Sequence, residues 1–162
     1  MTRLEGSVCV DAPAPLVWTA LARIEDIHLW SEAVRDSRCK GPISRGVGAE
    51  RTCDLAGGIT LRERFLAWKE GRSFTYEGQG LPLLASAPNT WTVHPEGDRT
   101  LLTSEAEVVL KGGRAGRLLE PLLRLQFSRM GSRTLAAFNL VEHGEPSILT
   151  HAKLPRAPAA CC

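Results

Sequence analysis

The chain has few of the features that mark membrane, secreted or nucleic-acid-binding proteins. Its longest nearly apolar runs, at 15–22 and 81–87, are far shorter than the ~20 residues of a membrane-spanning helix. Residues 1–10 lack the apolar segment of a signal peptide. Twenty basic against eighteen acidic residues give a net charge of +2, too small to indicate a nucleic-acid partner. These absences predict a soluble, cytoplasmic protein that does not bind nucleic acid.

Metal and cofactor motifs are also missing. The five cysteines include no C-x-x-C pair, so neither a disulfide framework nor a zinc knuckle is indicated. His28 and Glu32 are four residues apart, a spacing that can hold a metal on a helix, but no third ligand accompanies them. Arg51 stands where a dinucleotide fingerprint beginning at Gly46 requires glycine or alanine, and there is neither a G-x-x-x-x-G-K nor a G-x-S-x-G motif. The sequence predicts no metal site, no cofactor and no hydrolytic triad.

The middle of the chain has the pattern of an antiparallel sheet. Twelve of the fifteen glycines lie between Gly41 and Gly116, where they separate short stretches of alternating polarity or of β-forming residues. Each stretch is followed by turn-forming residues. Seven strands are therefore predicted, at 4–11, 35–40, 49–55, 60–69, 73–78, 89–94 and 100–110.

Helical periodicity occurs on both sides of this region. Val17, Leu21 and Ile24 recur at helical spacing after two prolines that suit a first helical turn, and a second short helix is predicted at 25–30. At 116–143 one apolar stripe predicts a long amphipathic helix, ~42 Å in length at 1.5 Å per residue. Residues 1–144 are thus predicted to form one domain, and residues 145–162 a flexible tail.

These elements predict an α+β fold. A curved antiparallel sheet of seven strands, with two short helices, would wrap around the long C-terminal helix. Because helix side chains need not reach the floor of the sheet, such an arrangement encloses a cavity.

Several sequence features resemble the START/Bet v 1-like helix-grip superfamily, over about Ser7 to Glu145. The opening segment 8–13 is similar to that superfamily's first strand and helix start, and Trp30 follows at a similar position. A further series resembles the polyketide cyclase/dehydrase-like branch in order and spacing: Gly48, Arg51, Gly58, Glu63, Tyr76, Pro82, Trp91 and Thr100. The resemblance implies an internal hydrophobic cavity but no single activity, since it covers lipid and sterol carriers, hormone receptors and aromatase/cyclases.

Strand alternation predicts which polar side chains enter the cavity. Glu63 lies between Leu61 and Phe65, so it faces inward if they do, and the same rule brings in Arg51, Tyr76 and Trp91. Arg51 and Glu63 could form a structural ion pair between two strands. Alternatively Arg51 anchors an anionic or carbonyl-bearing ligand, with Glu63 as base and Tyr76 as proton donor. A register shifted by one residue would instead expose the charges to solvent.

Large apolar side chains complete the predicted ligand site. Aromatic residues and methionine suit a planar or lipid-like ligand, although core filling would explain them equally well. The predicted ligand-binding residues are Trp30, Arg51, Glu63, Tyr76, Trp91, Gln126, Phe127 and Met130.

The predicted function is binding, or transport, of a small hydrophobic or amphipathic ligand in the cavity. The alternative is a cofactor-independent aromatase/cyclase or dehydratase acting on a polyketide-like carbonyl substrate, with Glu63, Arg51 and Tyr76 as its catalytic residues. Residues 111–133 contain six basic residues and one acid. This excess indicates either a solvated helix face or a surface for transient contact with an anionic membrane.

Overall fold

Eight β-strands make up most of the described chain, which in this computed structural model comprises residues 2–31, 34–55, 57–80 and 84–111. Burial alternates along them with the period of two that strand geometry imposes, as in the fourth strand, where Glu63 and Phe65 are buried and Arg64 is exposed. The strands are β1 (Thr2–Val10), β2 (Val34–Lys40), β3 (Glu50–Leu55), β4 (Thr60–Lys69), β5 (Ser73–Gln79), β6 (Leu84–Ser86), β7 (Pro88–Glu96) and β8 (Arg99–Leu110).

The strands form a curved antiparallel sheet in the order β1-β8-β7-β5-β4-β3-β2, and β6 pairs with β8. Gly71 and Gly97 turn the β4–β5 and β7–β8 hairpins with φ of 71° and 65°, a left-handed conformation that glycine adopts readily. Register shifts between Val34 and Asp36 and between Phe65 and Ala67 mark irregularities that bend the strands. Curvature gives the sheet a concave face.

Two short helices between β1 and β2 pack against this sheet. They are α1 (Ala14–Leu21) and α2 (Ile27–Trp30), preceded by a 3-10 turn at Ile24–Asp26. Trp18 of α1 packs its ring against Phe74, with 6.0 Å between ring centroids. The helices and the adjoining part of the sheet share one buried hydrophobic core.

The fold agrees closely with the sequence prediction over the described residues. All seven predicted strands are confirmed, with ends displaced by no more than two residues, and both short helices are present. The prediction missed β6, because three residues are too few to show alternation. It also did not foresee that β1 pairs with β8, which leaves β1 and β2 as the sheet edges.

The predicted long helix at 116–143 and the predicted tail at 145–162 lie outside the described residues, so the domain boundaries stay predictions. Within the described part of the chain, no helix has the length and apolar character needed to cross a bilayer.

Candidate functional site

Strand register brings the predicted polar residues together on the concave face. Arg51 on β3 lies directly opposite Glu63 on β4. Tyr76 on β5 lies opposite Phe65 and next to the β7 position of Asn89. Arg51, Glu63, Tyr76 and Trp91 are 2%, 4%, 8% and 4% exposed. The predicted inward orientation is therefore confirmed, and the alternative of a shifted register with solvated charges is wrong.

Arg51 and Glu63 form a buried ion pair. The Arg51 Nε donates to Glu63 Oε2 at 2.6 Å, and Nη2 also lies against the same oxygen. Although Nη2 is part of this ion pair, its approach to Oε2 is too poorly aligned for a hydrogen bond. Cys53 Sγ contacts Oε2 as well, at 3.6 Å. These two hydrogen bonds and the ion-pair contact of Nη2 all fall on the same carboxylate oxygen, Oε2.

Arg51 also ties the sheet to the helical segment. Its Nη1 donates to the main-chain carbonyl of Ile24 at 2.6 Å, in the 3-10 turn before α2. The guanidinium carbon lies 5.6 Å from the ring centroid of Phe65 and 5.3 Å from that of Tyr76, within the range of cation–π contacts. The side chain therefore joins two strands and a helical turn, which is a structural role whatever else it does.

The surroundings fix the protonation states of two neighbouring groups. Burial by itself would lower the pKa of Arg51, but several raising effects, of which the charge of Glu63 is the largest, together outweigh burial and raise that pKa above its usual value. Burial, with the nearby charge of Glu63, raises the pKa of the Cys53 thiol to about 12. Arg51 is thus a cation and Cys53 a neutral thiol at physiological pH.

Tyr76 belongs to a hydrogen-bonded chain that the sequence analysis did not find. Asn89 Nδ2 donates to the Tyr76 hydroxyl at 3.1 Å, and Ser104 Oγ donates to Asn89 Oδ1 at 3.0 Å. Burial, with the charge of Glu63, raises the pKa of Tyr76 above its ordinary value, so the phenol keeps its proton. Asn89 and Ser104 join the candidate site on this geometry.

An aromatic pair lies beside these polar groups. Trp30 of α2 and Trp91 of β7 meet edge to face, with ring centroids 5.4 Å apart, and both are almost fully buried. This arrangement is a favourable one for aromatic rings. The two predicted tryptophans therefore form one wall, which links α2 to the sheet.

Burial changes along the concave face. Val10, Leu102 and Val93, at one end, are at most 2% exposed. Farther along β8, Ser104 and Ala106 are only partly buried. Gly78, opposite Glu63, adds no side chain, and a Cβ there would come within 3.2 Å of Leu61. The polar cluster thus lies next to the closed core and beside partly buried small residues, beyond which Val108 is buried again.

The remaining predicted site residues cannot be placed with this cluster. Gln126, Phe127 and Met130 lie outside the described residues, so their ligand-binding role stays a prediction.

Of the two residues at metal-binding spacing, Glu32 also lies outside the described residues, and His28 Nδ1 contacts Ser37 Oγ at 2.9 Å. Within the described ranges, no group of three or more side chains is arranged to hold a metal ion.

Solved structures of several organisms share this fold. The aromatase/cyclase Zhui from Streptomyces sp. R1128 aligns with a TM-score of 0.75 at 18% identity, over 88% of this chain and 93% of that one. A START superfamily protein from Mycobacterium smegmatis aligns with a TM-score of 0.68 at 14% identity, over 86% and 98% of the two chains. Norcoclaurine synthase from Thalictrum flavum, solved with dopamine and hydroxybenzaldehyde, aligns with a TM-score of 0.68 at 18% identity, over 90% and 88%.

The curved sheet and the two short helices thus form a fold that this chain shares with these neighbours. The family model described as polyketide cyclase / dehydrase and lipid transport matches residues 1–140. The chain belongs to this family, and the predicted resemblance is confirmed. A search of curated proteins finds no match.

Proposed function

We propose that the protein binds a small hydrophobic or amphipathic ligand over the concave face of its sheet. The carrying observation is the buried Trp30–Trp91 pair beside a cluster of buried polar groups, next to partly buried small residues of β8. An apolar wall with a few polar groups is typical of small-molecule sites. The family description, which includes lipid transport, supports the same function.

A pair of matched tryptophan variants tests this proposal. Trp91→Leu shortens the proposed wall, whereas Trp68→Leu changes a tryptophan that packs against Trp18 instead. Saturable binding of the apolar fluorophore N-phenylnaphthylamine should weaken by about tenfold in the first variant and stay unchanged in the second, since aromatic contacts contribute roughly 1 kcal/mol or more. Native mass spectrometry of the purified protein should reveal a co-purified ligand. Absence of saturable binding, or equal weakening in both variants, would contradict the proposal.

A cofactor-independent aromatase/cyclase or dehydratase is the second candidate function. It is supported by the convergence of Glu63, Arg51 and Tyr76, and by the aromatase/cyclase among the structural neighbours. Ligand binding is favoured because the carboxylate and guanidinium already bind each other. An enzyme of this class should cyclise a poly-β-ketone substrate, with product detected by liquid chromatography, and Glu63→Gln should abolish turnover but retain binding.

Transport would require transfer to or from a membrane. The basic residues at 111–133 that could support such contact lie almost wholly outside the described residues, so this part of the function stays a prediction. Sedimentation with vesicles of anionic lipid, at low and high salt, would measure it.

A further inference from the structure

The donor and the acceptor can be assigned in each of the hydrogen bonds that link Ser104, Asn89 and Tyr76. An amide NH₂ group only donates and an amide oxygen only accepts. Asn89 accepts from Ser104 through Oδ1 and donates to the Tyr76 hydroxyl through Nδ2. Tyr76 therefore acts as the acceptor in its bond with Asn89, and its own O–H remains available to donate.

That remaining proton has no acceptor among the described residues, although Tyr76 is only 8% exposed. A buried donor without a partner is costly, so such groups are normally satisfied by protein, water or ligand. The raised pKa of the phenol, caused first by burial and then by the charge of Glu63, keeps the proton in place. The geometry thus presents a fixed donor beside the tryptophan wall.

The charge next to Tyr76 is balanced. Arg51 and Glu63 are directly ion-paired, and neither is more than 4% exposed. A ligand carboxylate bound here would be repelled by the negative charge of Glu63. Because Arg51 is already paired with Glu63, it would not offset this repulsion. The polar cluster favours a neutral polar group over an anionic one.

We infer that Tyr76 donates a hydrogen bond to a neutral acceptor oxygen of the ligand, such as a ketone carbonyl, and that Asn89 is the positioning residue that directs this donor. The inference rests on the proposed ligand-binding function and specifies its ligand class. It selects uncharged carbonyl compounds with an apolar body, rather than fatty acids or hydrocarbons.

Three probes with the same aromatic body test the inference by displacement of N-phenylnaphthylamine. Methyl naphthyl ketone carries the acceptor oxygen, isopropenylnaphthalene replaces this oxygen with a CH₂ group of similar shape, and naphthoate carries a negative charge. The intact protein should bind the ketone about tenfold more tightly than the alkene, as expected for one buried hydrogen bond, and should bind naphthoate more weakly than the ketone.

Two variants remove the donor in different ways. Tyr76→Phe deletes the hydroxyl. Asn89→Asp keeps the shape of the side chain but offers only acceptor oxygens, so Tyr76 turns its proton toward the new carboxylate. In both variants the ratio of ketone to alkene affinity should fall to about one, because only the hydrogen bond is lost. The alkene should bind at least as tightly as it does to the intact protein, because it no longer leaves a buried donor without an acceptor. Thr90→Val, which removes the hydroxyl that contacts Thr75 on the opposite face, is the matched control and should keep the ratio.

The outcomes separate the two proposals. If no probe displaces the fluorophore from the intact protein, the ligand-binding function itself fails. If ketone and alkene bind the intact protein equally, or if Asn89→Asp retains the ketone preference, the directed donor is overturned while ligand binding stands. Naphthoate binding more tightly than the ketone would overturn the assignment of a neutral ligand.

Discussion

The buried ion pair makes a sharp prediction about stability. Arg51→Met leaves the Glu63 carboxylate buried without its cation and the Ile24 carbonyl without its donor. Removing one partner of such a pair costs about 3–5 kcal/mol of the free energy of unfolding. For a chain of this size the melting midpoint should fall by roughly 6–20 °C.

Replacing both partners should restore part of this stability. In Arg51→Met/Glu63→Leu no buried charge is left, and the remaining loss is that of the Ile24 carbonyl, about 1–3 kcal/mol. Glu63→Gln, which leaves Arg51 without a counter-charge but keeps one acceptor oxygen, should lie between the two.

Urea denaturation followed by circular dichroism measures these differences. Arg38→Met is the matched control, since Arg38 forms an exposed cross-strand ion pair with Asp54 at 2.8 Å, and exposed pairs contribute little. A double variant as unstable as Arg51→Met would refute the reasoning, because the loss would then not come from an uncompensated charge. A structural role for the pair also predicts that the double variant binds N-phenylnaphthylamine as the intact protein does.

Three side chains, those of Tyr76, Cys53 and Glu70, should titrate or react differently in the folded protein from the same groups in an unfolded chain. Tyr76 is the sole tyrosine of the sequence, so alkaline difference absorbance should show no phenolate at the ordinary tyrosine pKa in the folded protein and a normal titration in denaturant; equal titrations would contradict its burial. Cys53, with a pKa of about 12, should resist iodoacetamide at about pH 8 until the protein unfolds, as peptide mass spectrometry can show; rapid labelling of folded protein would contradict this. Glu70 accepts hydrogen bonds from the indoles of Trp68 and Trp18 at 2.8 Å, and these bonds hold its pKa below the ordinary value of 4.5. Its stabilising contribution is therefore complete above that value and is lost as the pH falls through the lowered pKa, so tryptophan fluorescence should change there, but not in Glu70→Gln.

Alternation made the inward face of the sheet predictable. Glu63 lies between two apolar residues on one strand, and Tyr76 and Trp91 each lie two residues from an apolar neighbour that fills the core. Since successive strand residues point to opposite faces, the burial of the apolar residues fixes the orientation of the polar ones. The opposition of Arg51 and Glu63 needed one more assumption, that β3 and β4 form a hairpin, and the Gly57-Gly58 turn supports it.

Strand alternation also places Asn89 and Ser104 on the inward face, but neither residue type by itself indicates a site. Asn89 lies two residues before Trp91, and Ser104 two residues after Leu102, so alternation places both on the concave face. Short polar residues are common in strands, and only the register of β5, β7 and β8 shows that these two meet Tyr76. The bond from Arg51 to the Ile24 carbonyl was beyond pattern reasoning, because it depends on how the helical segment docks on the sheet.

The buried polar groups divide into two sets with different tasks. Arg51 and Glu63 satisfy each other and hold β3, β4 and the helical turn together, so their charges serve the scaffold. The hydrogen bonds from Ser104 through Asn89 end instead at Tyr76, whose hydroxyl proton has no acceptor among the described residues. Because the charges of Arg51 and Glu63 are already paired, the Tyr76 hydroxyl is the group best suited to distinguish one ligand from another. Stability should therefore follow Arg51 and Glu63, and selectivity should follow Tyr76 and Asn89.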